Sequence, residues 1–72
     1  MNYNWIQIYI SSDPFKIELL KGYLKENNIT AMSINKQDSS YLAFGEIELF
    51  VDAKDVLQAK MLINNQEDES NT

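Results

Sequence analysis

Glu46 and Glu48 stand two residues apart in an alternating apolar stretch. In an extended strand such a pair shares one face, about 7 Å apart by strand rise. Carboxylate pairs that hydrolyse bonds need a cleft, and one of the two needs a pKa raised by burial. An exposed strand supplies neither, so these acids are expected to act as solubilising charges. The chain has no histidine and no cysteine, which removes the Ser-His-Asp triad, the thiolate nucleophile, thiolate metal sites and disulfides. Gly22 and Gly45 are its only glycines, too few for a phosphate-cradling loop. No catalytic residue, metal ligand or cofactor is expected, and the chain is read as a non-enzyme.

The densest set of polar groups is Asn35, Lys36, Gln37, Asp38, Ser39 and Ser40, continued by Tyr41 and closed by Gly45. It offers donors, acceptors and one cation in a connection too long for a tight hairpin. Two readings are open. As a binding loop, it would present Lys36 and the hydroxyls of Ser39 and Ser40 to an anion or to a partner's backbone. As a solvated loop, Asp38 and the serines would bond their own backbone and Gly45 would supply an unusual backbone angle.

The elements that must carry this loop follow from periodicity. Trp5 to Ile10 alternates, with Ile6, Ile8 and Ile10 on one face and Trp5, Gln7 and Tyr9 on the other, and predicts a first strand. Ser12, Asp13 and Pro14 are a helix start. From Phe15 to about Asn27, Ile17, Leu20 and Leu24 recur at helical spacing. Gly22 in mid-helix either lets a neighbour approach closely or is a tolerated imperfection. Asn27 and Asn28 stop the helix, because Asn accepts the left-handed conformation. Thr30 to Asn35 predicts a second strand with Met32 and Ile34 inward. Glu46 to Val51 predicts a third, with Ile47, Leu49 and Val51 facing the core and Glu46, Glu48 and Phe50 away from it. Asp52 to Asp55 opens a second helix whose buried stripe is Val56, Ala59, Leu62 and Ile63. Leu57 and Met61 lie beside that stripe, where they would either widen the core face or meet a partner.

The order β-α-β-β-α predicts an α+β, ferredoxin-like domain. A right-handed crossover makes the first two strands parallel, and the third inserts between them antiparallel to both. The sheet order is then first-third-second, with both helices on one face and the usual last strand missing beside the first. Residues 1–64 make the single domain, and the polar, acidic segment 65–72 is read as a disordered tail. At 72 residues the core is thin, since a chain of this size buries only about 60% of its unfolded surface, and self-association is a natural supplement. If Trp5, Tyr9 and Phe50 share the sheet face away from the helices, three rings form an apolar patch fit for a partner. The alternative is an open face shielded by termini and long polar side chains.

Charge narrows the partners. The net charge is −5, from 11 acidic and 6 basic residues, and Glu67, Asp68 and Glu69 concentrate part of that excess near the end of the chain. Lys16, Lys21 and Lys25 are interrupted by Glu18 and Glu26, so no basic footprint for nucleic acid forms. No apolar run approaches membrane-spanning length, and no basic start marks a signal peptide, so a soluble, cytoplasmic protein is expected.

Trp5-Ile6-Gln7-Ile8-Tyr9, the helix with Pro14, Glu18-Leu19-Leu20-Lys21-Gly22 and Leu24, and above all Asn35 to Tyr41 with Phe44-Gly45-Glu46-Ile47-Glu48-Leu49 resemble a family of short bacterial proteins. That family is described as prokaryotic signal-transducing proteins and grouped with the PII (GlnB)-like ferredoxin folds; the resemblance spans roughly residues 5 to 63. It implies the same fold and a role in signalling. In PII proteins the connection between the second and third strands is the effector loop, and Asn35–Gly45 occupies the corresponding place. The resemblance thus marks Lys36, Asp38, Ser39, Ser40 and Tyr41 as a contact surface. The loop here is much shorter, the last strand is missing, and no counterpart of the phosphate-holding basic residues is found. The expected function is a signal-relay or protein-interaction domain working through this loop and the open sheet face, as a homodimer with a further protein partner. The alternative is a sensor binding a small anionic metabolite or nucleotide at the same loop.

Overall fold

The computed structural model describes residues 3–36 and 45–70, with side chains through residue 67. Its elements are β1 (Trp5–Ser11), α1 (Pro14–Glu26), β2 (Ala31–Asn35), β3 (Ile47–Asp52), a single 3₁₀ turn (Ala53–Asp55) and α2 (Val56–Ser70). The sheet order is β1-β3-β2, with β3 antiparallel to both neighbours. This is the ferredoxin-like βαββα arrangement that the pattern predicts.

Local chemistry sets the element ends. Asp13 caps α1 by accepting the Phe15 amide at 3.0 Å, and Pro14 takes the first helical position, where its missing N–H costs nothing. At the other end Asn28 adopts φ 65°, the left-handed region. The Asn28 amide then donates to the Lys25 carbonyl at 3.0 Å and the Ile29 amide to the Leu24 carbonyl at 2.9 Å. Those two bonds are a Schellman closure, and its customary apolar contact is here the buried pair Leu24 and Ile29. Asp52 accepts the amides of Asn4 at 2.9 Å and Lys54 at 3.1 Å, so one carboxylate ties down the entry to β1 and starts the turn into α2. Both bonds favour the ionised form and hold its pKa below the usual carboxylate value.

The core lies between the sheet and the helices. Ile17, Leu20 and Leu24 of α1, Ile47, Leu49 and Val51 of β3, and Ala59 and Ile63 of α2 are buried together with Ile29. The stripes read for α1 and β3 are buried, and of the stripe read for α2 Ala59 and Ile63 are buried while Val56 and Leu62 pack partly buried against the same core. Gly22 does not serve a close approach, because a Cβ built there would meet nothing within 4 Å.

Both outer strands differ from expectation. The β1 register slips between Gln7 and Tyr9: Gln7 opposes Phe50, and Tyr9 opposes Leu49. The extra residue, Ile8, is a β-bulge, and alternation changes face across it. Ile6 and Ile8 stay on the helix side as read, but Ile10 opposes Glu48 on the other side and Tyr9 turns in against the core. In β2, Ala31 opposes Val51 and Ser33 opposes Leu49, so the small side chains face the helices. Met32 opposes Phe50 and Ile34 opposes Glu48, which puts both on the open side. The Lys21 ammonium, from α1 overhead, donates to the Ser33 hydroxyl at 3.3 Å.

The second helix is also longer than its apolar stripe predicts, running to Ser70 through residues read as a tail. Glu67 is the visible reason. Its carboxylate accepts the Tyr9 hydroxyl at 2.6 Å and pairs with Lys16 at 2.9 Å, joining the last turns of α2 to β1 and α1.

Candidate functional site

The bulge and the β2 register together fix what the open sheet face presents. Trp5 opposes Asp52, Gln7 and Met32 flank Phe50 from the two sides, and Ile10 and Ile34 flank Glu48. Directly opposed residues of antiparallel strands share a face, so these side chains form one surface. Trp5, Met32 and Phe50 are half-buried against their neighbours, and Ile10 and Ile34 are 43% and 41% exposed. Tyr3 extends the apolar surface by stacking on Trp5, centroids 4.8 Å apart and planes at 18°. Its one described ion pair is Lys36 with Glu48, at 3.4 Å.

Of the predicted interface residues, Trp5 and Phe50 are on this face and Tyr9 is not. Tyr9 lies beneath the helices, under the Lys16 ammonium at 5.6 Å from its ring centroid. Burial, and then the hydrogen bond to Glu67, raise its pKa. The same contacts lower that of Glu67, the Tyr9 hydroxyl first and Lys16 second, and raise that of Lys16. Sequence reasoning missed Met32, Ile34 and Ile10. The proximity of α1 to β2 decides the first two and the bulge decides the third, and neither leaves a mark in the residue pattern.

Of the predicted loop residues, Asn35 ends β2 opposite Ile47, and Lys36 continues the ladder by donating its amide to the Glu46 carbonyl at 3.1 Å. Gly45 is half-buried just before β3. Gln37, Asp38, Ser39, Ser40 and Tyr41 lie outside the described residues. Leu57 and Met61 are 78% and 63% exposed, so they do not widen the core stripe. Among the described residues no group of three or more His, Cys, Asp or Glu is placed to hold a metal ion. Among them, too, no helix is long and apolar enough to cross a membrane.

A groove of about 400 Å³ lies between α1 and the start of β2, lined by Glu18, Lys21, Gly22, Lys25, Thr30 and Ala31 among others.

A family model described as "Putative prokaryotic signal transducing protein" matches residues 5–67. The chain belongs to that family. The match takes in every described strand, α1, the open-face residues from Trp5 onward, and α2 as far as Glu67, its anchor. No curated protein and no solved structure matches this member of the signal-transducing family.

Proposed function

We propose that this member of the signal-transducing family is a cytoplasmic, non-enzymatic relay module that acts by contact, through the open sheet face and the β2–β3 connection at its border. The observation that carries this reading is the apolar surface of Trp5, Ile10, Met32, Ile34 and Phe50, which no described element covers. A contiguous apolar face of this kind marks an interaction site more often than a bare surface. The sequence adds that histidine and cysteine, the usual acid–base and nucleophilic equipment, are missing.

A second copy of the chain is the occupant proposed for this face. With a net charge of −5, two copies repel each other over most of their surfaces. On the open face Glu48 is paired with Lys36, and the side chains of Trp5, Ile10, Met32, Ile34 and Phe50 carry no charge. Docking two such faces would also cover the second side of a single thin sheet. The predicted PII-like use of the β2–β3 connection fits the position of Lys36 and Gly45 beside this face. A sensor of anions at the same place would have to draw Lys36 away from Glu48.

Sedimentation velocity across a concentration series tests the reading. The wild type is expected to sediment as a dimer at micromolar concentration, and Phe50→Glu or Met32→Glu as a monomer with unchanged circular dichroism. A wild type that stays monomeric at high micromolar concentration overturns it.

A further inference from the structure

The sheet has two edges, and they are not equivalent. The β1 edge carries the bulge at Ile8, a common device for spoiling pairing with a stray strand. The β2 edge keeps an unbroken register from Ala31 to Asn35. Its inner side is settled by the bond from the Lys36 amide to the Glu46 carbonyl, which makes Lys36 and Glu46 a hydrogen-bonded pair. Such pairs alternate along an antiparallel ladder, so Ile34 and Met32 also bond inward to β3. The backbone groups of Ala31 and Ser33 therefore point outward, and no described residue pairs with them.

The groove lies alongside this edge, on its helix side. Gly22 keeps it open, since the space where a side chain would stand is empty. Within it Lys21 is paired with Glu18 at 3.6 Å, so the excess of one cation falls on Lys25, in a chain whose overall charge is negative. Lys21 already reaches Ser33 at the strand edge, and Lys25 lines the groove beside Thr30 and Ala31. We infer that the β2 edge is a β-augmentation site for an extended acidic segment of a partner protein, in which acidic and apolar side chains alternate.

The alternation follows from the geometry. A strand added here bonds to the outward groups of Ala31 and Ser33, and its residues opposite those two project over the helix side. An acid opposite Ala31 meets Lys25, and an acid opposite Ser33 meets Lys21 by sharing it with Glu18. The intervening residues project on the open side next to Met32 and Ile34, where apolar side chains fit. A second copy of this chain is the poorer occupant, because β2 against β2 would bring Lys21 and Lys25 of each copy towards those of the other. This site is separate from the self-association proposed above: one uses the strand edge, the other the face.

Titrating the ¹⁵N-labelled full chain with a short peptide alternating Glu and Val tests the inference. The amides of Ala31 and Ser33 are expected to shift and to gain protection from exchange. The same peptide with Lys in place of Glu is expected to bind at least about tenfold more weakly, and Lys21→Glu with Lys25→Glu to reverse that preference. Gly22→Leu, which fills the groove, is expected to weaken binding by about tenfold or more with the amide spectrum still that of a folded chain. No shift at Ala31 and Ser33 with millimolar peptide overturns the inference, as does equal binding of the two peptides by the wild type, or a response confined to β1. The peptide comparison on the wild type stands even if a variant fails to fold. Oligomeric state measured on the same samples keeps the two proposals apart, since a monomer that binds the peptide sinks only the face, and a dimer that ignores it sinks only the edge.

Discussion

At the scale of single residues, most of the stabilising detail was open to chemical reasoning, because it rests on side chains that do one thing well. Asp13 before Pro14 is a cap wherever a helix follows, and Asn28 after Asn27 is a residue type that tolerates φ 65°. Asn28 is exposed, so its contribution is conformational and not one of packing. Asn28→Ala is expected to cost about 1 kcal/mol, the penalty for a Cβ in the left-handed region, while Asn28→Gly is neutral or stabilising. Urea denaturation of the pair checks this, and equal stabilities would show that the Leu24–Ile29 contact closes the helix without help from the turn. Glu48 and Phe50 were also legible as residues of the side away from the core. Tyr9 was not, because its place depends on a register that no residue announces.

At the scale of elements, what could be read was whatever depends on one segment alone. The helix stripes and the face of β3 come from periodicity within a segment, and the core is built from them. The faces of β1 and β2 were misread because they depend on neighbours. One inserted residue turns Ile10 out and Tyr9 in, and a helix lying close above β2 selects Ala31 and Ser33 over Met32 and Ile34. The end of α2 shows the same dependence. Glu67 sits near a helix C-terminus, where the dipole disfavours an acid, and no basic residue stands in the last turn. Lys16 from α1 and the Tyr9 hydroxyl from β1 supply the compensation that the helix lacks. Lys16→Ala and Tyr9→Phe are each expected to fray α2 beyond about Ile63 while leaving its first turns intact. Amide exchange checks this: faster exchange confined to residues 64–70 is expected, and unchanged exchange there would mean that the helix end holds without the Glu67 anchor.

At the scale of the whole molecule, the same cluster makes stability depend on pH at both ends of the range, with the sign set by the direction of each shift. Glu67 and Asp52 have pKa values lowered from their ordinary 4.5 and 3.8. Folding therefore favours their ionised forms, and that stabilisation is complete above those values and lost as pH falls through the lowered ones. Tyr9 and Lys16 have values raised from 10.0 and 10.5. Folding favours their protonated forms, and that stabilisation is complete below about pH 10 and lost as pH rises towards and through the raised values. A plateau between these limits is expected, with no step near neutrality, since the chain has no histidine to titrate there. The Lys16 and Glu67 side chains are 42% and 37% exposed, so salt should screen the ion pair while leaving the shorter Tyr9–Glu67 hydrogen bond largely intact. Tyr9→Phe separates the contributions: it removes the tyrosine's own titration and the hydroxyl that most lowers the Glu67 pKa, while Asp52 keeps its two amide donors. Thermal melts of wild type and Tyr9→Phe across the pH range should show a shallower alkaline decline in the variant and an acid decline that is reduced but still present. Identical pH profiles would mean that Tyr9 and Glu67 do not meet in solution, and with that contact would go the account of why α2 extends past its apolar stripe.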